Sequence, residues 1–209
     1  MNKSTGRPRA VDLEERHKNL MATAGRLFLT KGYAKVSLEL IAREAHVAVR
    51  TIYVKFGSKA GLFYEVLIAH YERFIRPQQM DTDMRPFKVI IAEFGEQFLA
   101  MISTPETLEV QRLVIAEFKT SPDLTRQFNE AGPRKTRDML ARFFARPDIR
   151  LQLREELPME IIPGYLINCV IGDIFSHFLF DPTAQTNEEV LSSLRKRLDL
   201  FYYTVLRQS

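Results

Sequence analysis

"SLELIAREA", Ser37–Ala45, is followed at once by "HVAVRTIYVKF", His46–Phe56. This pairing restricts the fold more than anything else in the chain. Leu38, Ile41, Ala42 and Ala45 recur at intervals of three and four, the period of one helical face. Ser37 stands where a hydroxyl caps a helix N-terminus. "HVA" leaves room only for a tight turn, and a further short helix runs over about 48–55 until Gly57-Ser58 breaks it. Two helices joined by a three-residue turn form a helix-turn-helix, whose second helix can enter a DNA major groove. Val47, Ile52 and Phe56 have the spacing to face inward, which leaves Val49, Arg50, Thr51, Tyr53 and Lys55 outside or at the edges.

The outward residue types suit nucleic acid. Arginine at position 50 can pair bidentately with guanine O6 and N7, and the methyls of Val49 and Thr51 can meet a thymine methyl. Tyr53 and Lys55 suit phosphate oxygens, which position a helix without reading sequence. Lys59 lies beside the positive N-terminus of the next helix and is also placed for phosphate. Ahead of the first helix, Lys3, Arg7 and Arg9 with Gly6 and Pro8 make a short basic arm, of a kind that can follow phosphates or enter a minor groove. A merely solubilising tail is the alternative. Residues 1–60 hold twelve Lys and Arg against five Asp and Glu, a net +7, while the rest of the chain is net −3. That asymmetry points to a polyanion held by one end.

Helical signals continue throughout, and no strand pattern emerges. A helix over about 11–31 ends at Gly32. Ser58 caps a fourth helix expected to reach about Arg76, and Pro77–Pro86 reads as a loop. Thr104-Pro105 and Ser121-Pro122 each place a hydroxyl before a first-turn proline, and Thr186–Glu189 has capping-box spacing. The expectation is an all-α chain of about nine helices. A head over 1–57 would carry the helix-turn-helix, a bundle over 58–209 would bind ligand and dimerise, and helix 58–76 would connect them. Residues 87–180 are rich in phenylalanine. Most such aromatics are core, but Phe94, Gln97, Phe98, Phe118, Asn168 and Phe175 are candidates to line an apolar cavity between helices.

Other classes find less support. Cys169 is the lone cysteine, so no intramolecular disulfide can form. "MNKSTGRPRAVDLEER" has no apolar signal core. The run "IIPGYLINCVIGDIFSHFLF" carries Pro163, Asn168, Asp173 and His177 and reads as a buried helix rather than a membrane span. His17, His46, His70 and His177 lack metal-ligand spacing, and Gly132-Pro133-Arg134-Lys135 lacks the phosphate-loop pattern, so no enzyme, metal or cofactor is expected. A helical protein-interaction module would explain a bundle but not the basic arm and turn helix.

"AGRLFLTKGYAKVSLELIAREAHVAVRTIYVKFGSKAGLFYEVL", residues 24–67, closely resembles the TetR family of bacterial transcriptional regulators. The "KGY" ending of the first helix, the "IA-x-x-A" of the second, "TIY-x-x-F" and "SK-x-x-LF" sit at the family's spacing. Residues 112–144 resemble the C-terminal domain of its AefR-like subgroup. The resemblance implies a cytoplasmic all-helical homodimer that binds a double-stranded DNA operator as a repressor and answers a small hydrophobic effector. By the family motif Ser37, Thr51, Tyr53, Lys55 and Lys59 fall on DNA-contacting positions, with Val49 and Arg50 outward on the recognition helix. It also implies pairing through the last two helices, for which Ile171, Phe175, Leu194, Leu198, Phe201 and Tyr202 are the candidate seam. Three positions depart from the pattern. His46 replaces a usual glycine, Ala48 a frequent serine, and Arg50 a commonly small residue.

Overall fold

The helix α1, Ala10–Lys31, opens the computed structural model, which describes residues 10–173 and 187–207. Gly32 ends α1 with φ of 83°. After the turn come α2 (Leu38–Glu44), α3 (Val49–Phe56) and α4 (Lys59–Tyr71). Then follow α5 (Pro77–Thr82), α6 (Phe87–Ile102), α7 (Pro105–Ala116) and α8 (Pro122–Asn129). A π turn, Glu130–Arg134, accommodates Pro133 and leads directly into α9 (Lys135–Ala145). The short α10 (Pro147–Arg150), α11 (Ile162–Ile171) and α12 (Asn187–Val205) complete the described elements. No strand occurs among the described residues, and no described helix is long and apolar enough to cross a membrane.

Two sequence expectations are corrected here. The fourth helix stops at Tyr71 instead of running to Arg76. Pro77 disfavours the helical region for the residue before it, and the chain turns so that both Tyr71 and Ile75 are buried. Pro77–Pro86 is not all loop, because Pro77–Thr82 is helical. Met80 packs into the core there, and Arg146 donates to its carbonyl at 2.9 Å. The Thr186 cap, the arm with Arg7 and Arg9, and Phe175, His177, Phe178 and Phe180 lie outside the described residues.

Packing divides the chain into two units. One takes the chain through Ala69 together with Leu113–Phe128, and the other takes His70–Arg112 and the chain from Asn129 onward. In the first, Phe28, Tyr33 and Phe63 form a triad with ring centroids 5.4–5.5 Å apart. In the second, α6 meets α11 and α12 around Gly95, where even a β-carbon would find only ordinary contacts. A β-carbon there would stand 3.4–3.6 Å from side chains of Leu194, Leu198 and Val170. Arg197 of α12 closes α11 by donating to the carbonyls of Cys169 and Val170 at 2.6 and 3.0 Å. A cation on terminal carbonyls satisfies groups that no helical partner reaches. The described residues that follow α12 are fastened too. Arg154 donates to the carbonyls of Tyr203 and Leu206, and Arg207 donates to that of Leu153.

Candidate nucleic-acid interface

The geometry of the turn between α2 and α3 begins with His46. Its φ is 54°, the left-handed region where glycine is usual. Val47 N–H reaches Ala42 O at 3.0 Å and His46 N–H reaches Arg43 O at 3.4 Å, the pair of bonds that closes a Schellman motif. α2 starts at Ser37, whose Oγ accepts from Leu40 N–H at 3.2 Å. α3 starts at Ala48 with no side-chain cap. A hydroxyl cap is worth about 1 kcal/mol. Ile52 is fully buried, and burial of such a side chain contributes about 1.5–3 kcal/mol. The buried isoleucine outweighs the missing cap and holds α3 in place. Gly57 ends α3, and Ser58 Oγ then accepts from Gly61 N–H at 3.0 Å. A β-carbon on Gly61 would lie 2.0 Å from Phe56 O, so only glycine lets α4 start this close to the end of α3.

The sides of α3 divide as its sequence expects. Ile52 is buried, and Val47, Val49 and Phe56 are half-buried, while Arg50, Thr51, Tyr53 and Lys55 are exposed. Val54 is 78% exposed, a position that sequence reasoning passed over. It lies one helical turn after Arg50, and the two form the centre of the outward face. Arg50 makes no hydrogen bond or ion pair among the described residues and keeps its five donors for a partner.

Beside α3 lies an open groove of about 410 Å³. Ser37, Tyr53 and Lys59, three of the expected contact residues, line it together with Ala34, Lys35, Val36, Leu38, Ser58 and the carboxylate Glu39. Lys35 is exposed and also went unremarked in the sequence; its only signal is its place between "KGY" and the Ser37 cap. Tyr53 is 50% exposed.

Two of the expected phosphate cations have neighbours that the sequence did not disclose. Lys59 Nζ donates to Tyr33 O at 2.9 Å and Val36 O at 3.0 Å, and lies 4.3 Å from the centre of the Tyr33 ring. One ammonium donor is left for an outside acceptor. Burial lowers its pKa, partly offset by the Glu117 charge. Burial also pushes the Tyr33 phenol up to about 12, with Asp123 and Glu117 adding to the effect. Lys55 Nζ donates to His17 Nδ1 at 2.8 Å, so α3 is tied to α1 at this point. The His17 ring stacks on Phe56, and burial followed by the Lys55 charge lowers its pKa.

The candidate pocket and seam residues fall differently. Phe94 and Phe98 are buried and stack with centroids 5.5 Å apart, and Gln97 donates to Glu93 Oε1 at 3.0 Å. Phe118 is 63% exposed on the turn after α7. Asn168 is exposed on α11. Leu194, Leu198, Phe201 and Tyr202 are buried in the core of their own bundle, so they do not offer the exposed seam that the sequence suggests. The apolar stripe of α12 is covered by the rest of its own bundle. Ile171 is half-buried at the end of α11. The apolar residues that α12 does present outward are Leu200 and Tyr203, 66% and 72% exposed.

Comparison with known proteins agrees with this geometry. Residues 20–66 match the model of bacterial regulatory proteins of the tetR family, and residues 90–156 match the C-terminal domain of AefR-like transcriptional repressors. The chain belongs to the TetR family, the helix-turn-helix, DNA-binding transcription regulators of bacteria. Its fold recurs in a TetR-family regulator from Mesorhizobium loti, at 18% identity over 93% of this chain and 98% of that one, with a TM-score of 0.73. The flavonoid-responsive regulator FrrA has 23% identity over 94% and 100% of the two chains, with a TM-score of 0.73. NalD, the secondary repressor of the MexAB-OprM multidrug efflux pump in Pseudomonas aeruginosa, has 22% identity over 95% and 100%, with a TM-score of 0.67. At these identities the likeness establishes the fold. No curated protein matches the chain.

Proposed function

We propose that this chain is a ligand-responsive repressor that binds a palindrome-like operator as a homodimer in the cytoplasm. The observation that carries this reading is the outward face of α3. Arg50 and Val54 stand free at its centre, flanked by Thr51 and by Tyr53 at the edge of a groove that also holds Ser37, Lys35 and Lys59. Arg50 and Val49 or Thr51 would read base edges, and Ser37, Tyr53, Lys55 and Lys59 would meet phosphates. The arm with Arg7 and Arg9 would add contacts along the duplex.

Two-fold pairing would present two such helices about 34–36 Å apart, one DNA turn. In this reading the pairing face is the outer side of α11 and α12, where Ile161, Leu200 and Tyr203 are exposed. The effector would enter the apolar bundle near Phe94, Gln97 and Phe98. FrrA, by its description, answers flavonoids, which supports an aromatic or hydrophobic effector here. A coupling of about 1–3 kcal/mol between effector and operator would change DNA affinity 5–150-fold.

Selection of bound duplexes from random DNA tests the reading. Wild type is expected to enrich an inverted repeat, and Tyr53→Ala to bind it more weakly while melting like wild type. Arg50→Ala should relax preference at one base pair per half-site. Enrichment of no sequence, together with affinity insensitive to salt, would overturn DNA binding as the function.

A further inference from the structure

Glu117 follows α7 by one residue, some eighty positions after the helix-turn-helix begins, yet it belongs to the same packing unit. Its carboxylate accepts from Ala34 N–H at 3.0 and 3.2 Å and from Ser121 Oγ at 2.9 Å. Ala34 is the middle of the turn between α1 and α2. The opposite polarity of that turn is taken up by Lys59, which donates to the carbonyls of Tyr33 and Val36. An anion on the amide and a cation on the carbonyls therefore hold one five-residue turn. Gly32 marks how near the chain comes, because a β-carbon there would lie 3.2 Å from Glu117 Oε1, at a φ that other residues rarely adopt.

We propose that Glu117 is a positioning residue for DNA binding, fixing the Gly32–Val36 turn and with it the groove that meets the operator backbone. The inference rests on the function proposed above. The turn runs directly into Ser37, which caps α2, and Ala34, Lys35 and Ser37 line the groove with Tyr53. Any drift of the turn moves these groups relative to α3. A carboxylate in a unit that must approach a polyanion opposes binding by its charge. Glu117 therefore favours binding through geometry, and the two effects predict opposite results on substitution.

The experiment compares full-length wild type, Glu117→Ala, Glu117→Gln and Ser121→Ala on a duplex selected by the wild type. The readouts are affinity by fluorescence anisotropy, exchange of the Ala34 amide, and thermal melting. Glu117→Ala should lose about tenfold in affinity, the scale of one hydrogen bond to a charged group, and its Ala34 amide should exchange faster. Glu117→Gln keeps a carbonyl oxygen for Ala34 and should retain most of the affinity. Ser121→Ala should show a smaller loss of the same kind, and it decides the matter should Glu117→Ala not fold. Unchanged affinity in Glu117→Ala and Ser121→Ala overturns the proposal. So does tighter binding by both Glu117 variants, which would make the residue a bare charge. Loss of affinity only in step with unfolding, with Ala34 exchange unchanged below the melt, overturns it as well. If wild type itself selects no DNA, the functional reading fails and not this clamp alone.

Discussion

His46 holds a conformation that costs an L-residue about 1–2 kcal/mol, although histidine tolerates it better than most. Its side chain is exposed and has no hydrogen-bond partner among the described residues. His46→Gly should therefore raise stability by up to about 1 kcal/mol, or roughly 2–4 °C in melting temperature for a chain of this size. A thermal melt checks it, and a lower melting temperature would mean that the imidazole contributes something beyond its backbone. This residue, the Ser37 and Ser58 caps and the uncapped Ala48 were all legible in the sequence. Capping and left-handed turns depend on three or four neighbours along the chain. The surroundings of Lys55 and Lys59 were not legible, because His17, Tyr33 and Val36 come to those ammonium groups only through folding.

At the scale of elements, the tie between α1 and α3 has a consequence for pH. The Lys55 bond requires His17 to be unprotonated at Nδ1. Burial and Lys55 both lower the His17 pKa below its ordinary 6.5, and burial with Arg73 does the same for His70. The unfolded chain then takes up these protons at a higher pH than the folded one. Stability from both groups is present above 6.5 and falls as pH drops below it. Denaturant midpoints measured from pH 8 to 5 should be level above 6.5 and decline beneath it. His17→Gln, whose carbonyl can still accept from Lys55, should decline less. A stripe of apolar residues on α12 was also legible in the sequence, but periodicity does not say which surface covers it. Leu194 and Leu198 meet Gly95 within the same bundle, while Leu200 and Tyr203 are the residues left bare.

For the whole molecule this distinction separates folding from assembly. Leu194→Ala should destabilise the chain by about 2–5 kcal/mol and leave its oligomeric state unchanged. Tyr203→Glu should melt nearly as wild type but shift sedimentation toward monomer. The opposite pattern would return the seam to the buried stripe. The all-helical architecture and the short helix Val49–Phe56 followed from apolar period and from the breaking Gly57-Ser58 pair. The return of Leu113–Phe128 to the N-terminal unit did not, since contacts across such a separation leave no mark in local pattern. The chain's far end carries a final consequence. Leu206 pairs with Leu153 as an isolated bridge, Arg207 N–H reaches Gln152 O, and guanidinium groups lock both sides. A tail usually tolerates trimming, but this one behaves as a buckle. Cutting the chain back past Val205 would unfasten the last helix from Gln152–Arg154 and slacken the surface through which two copies would recognise each other.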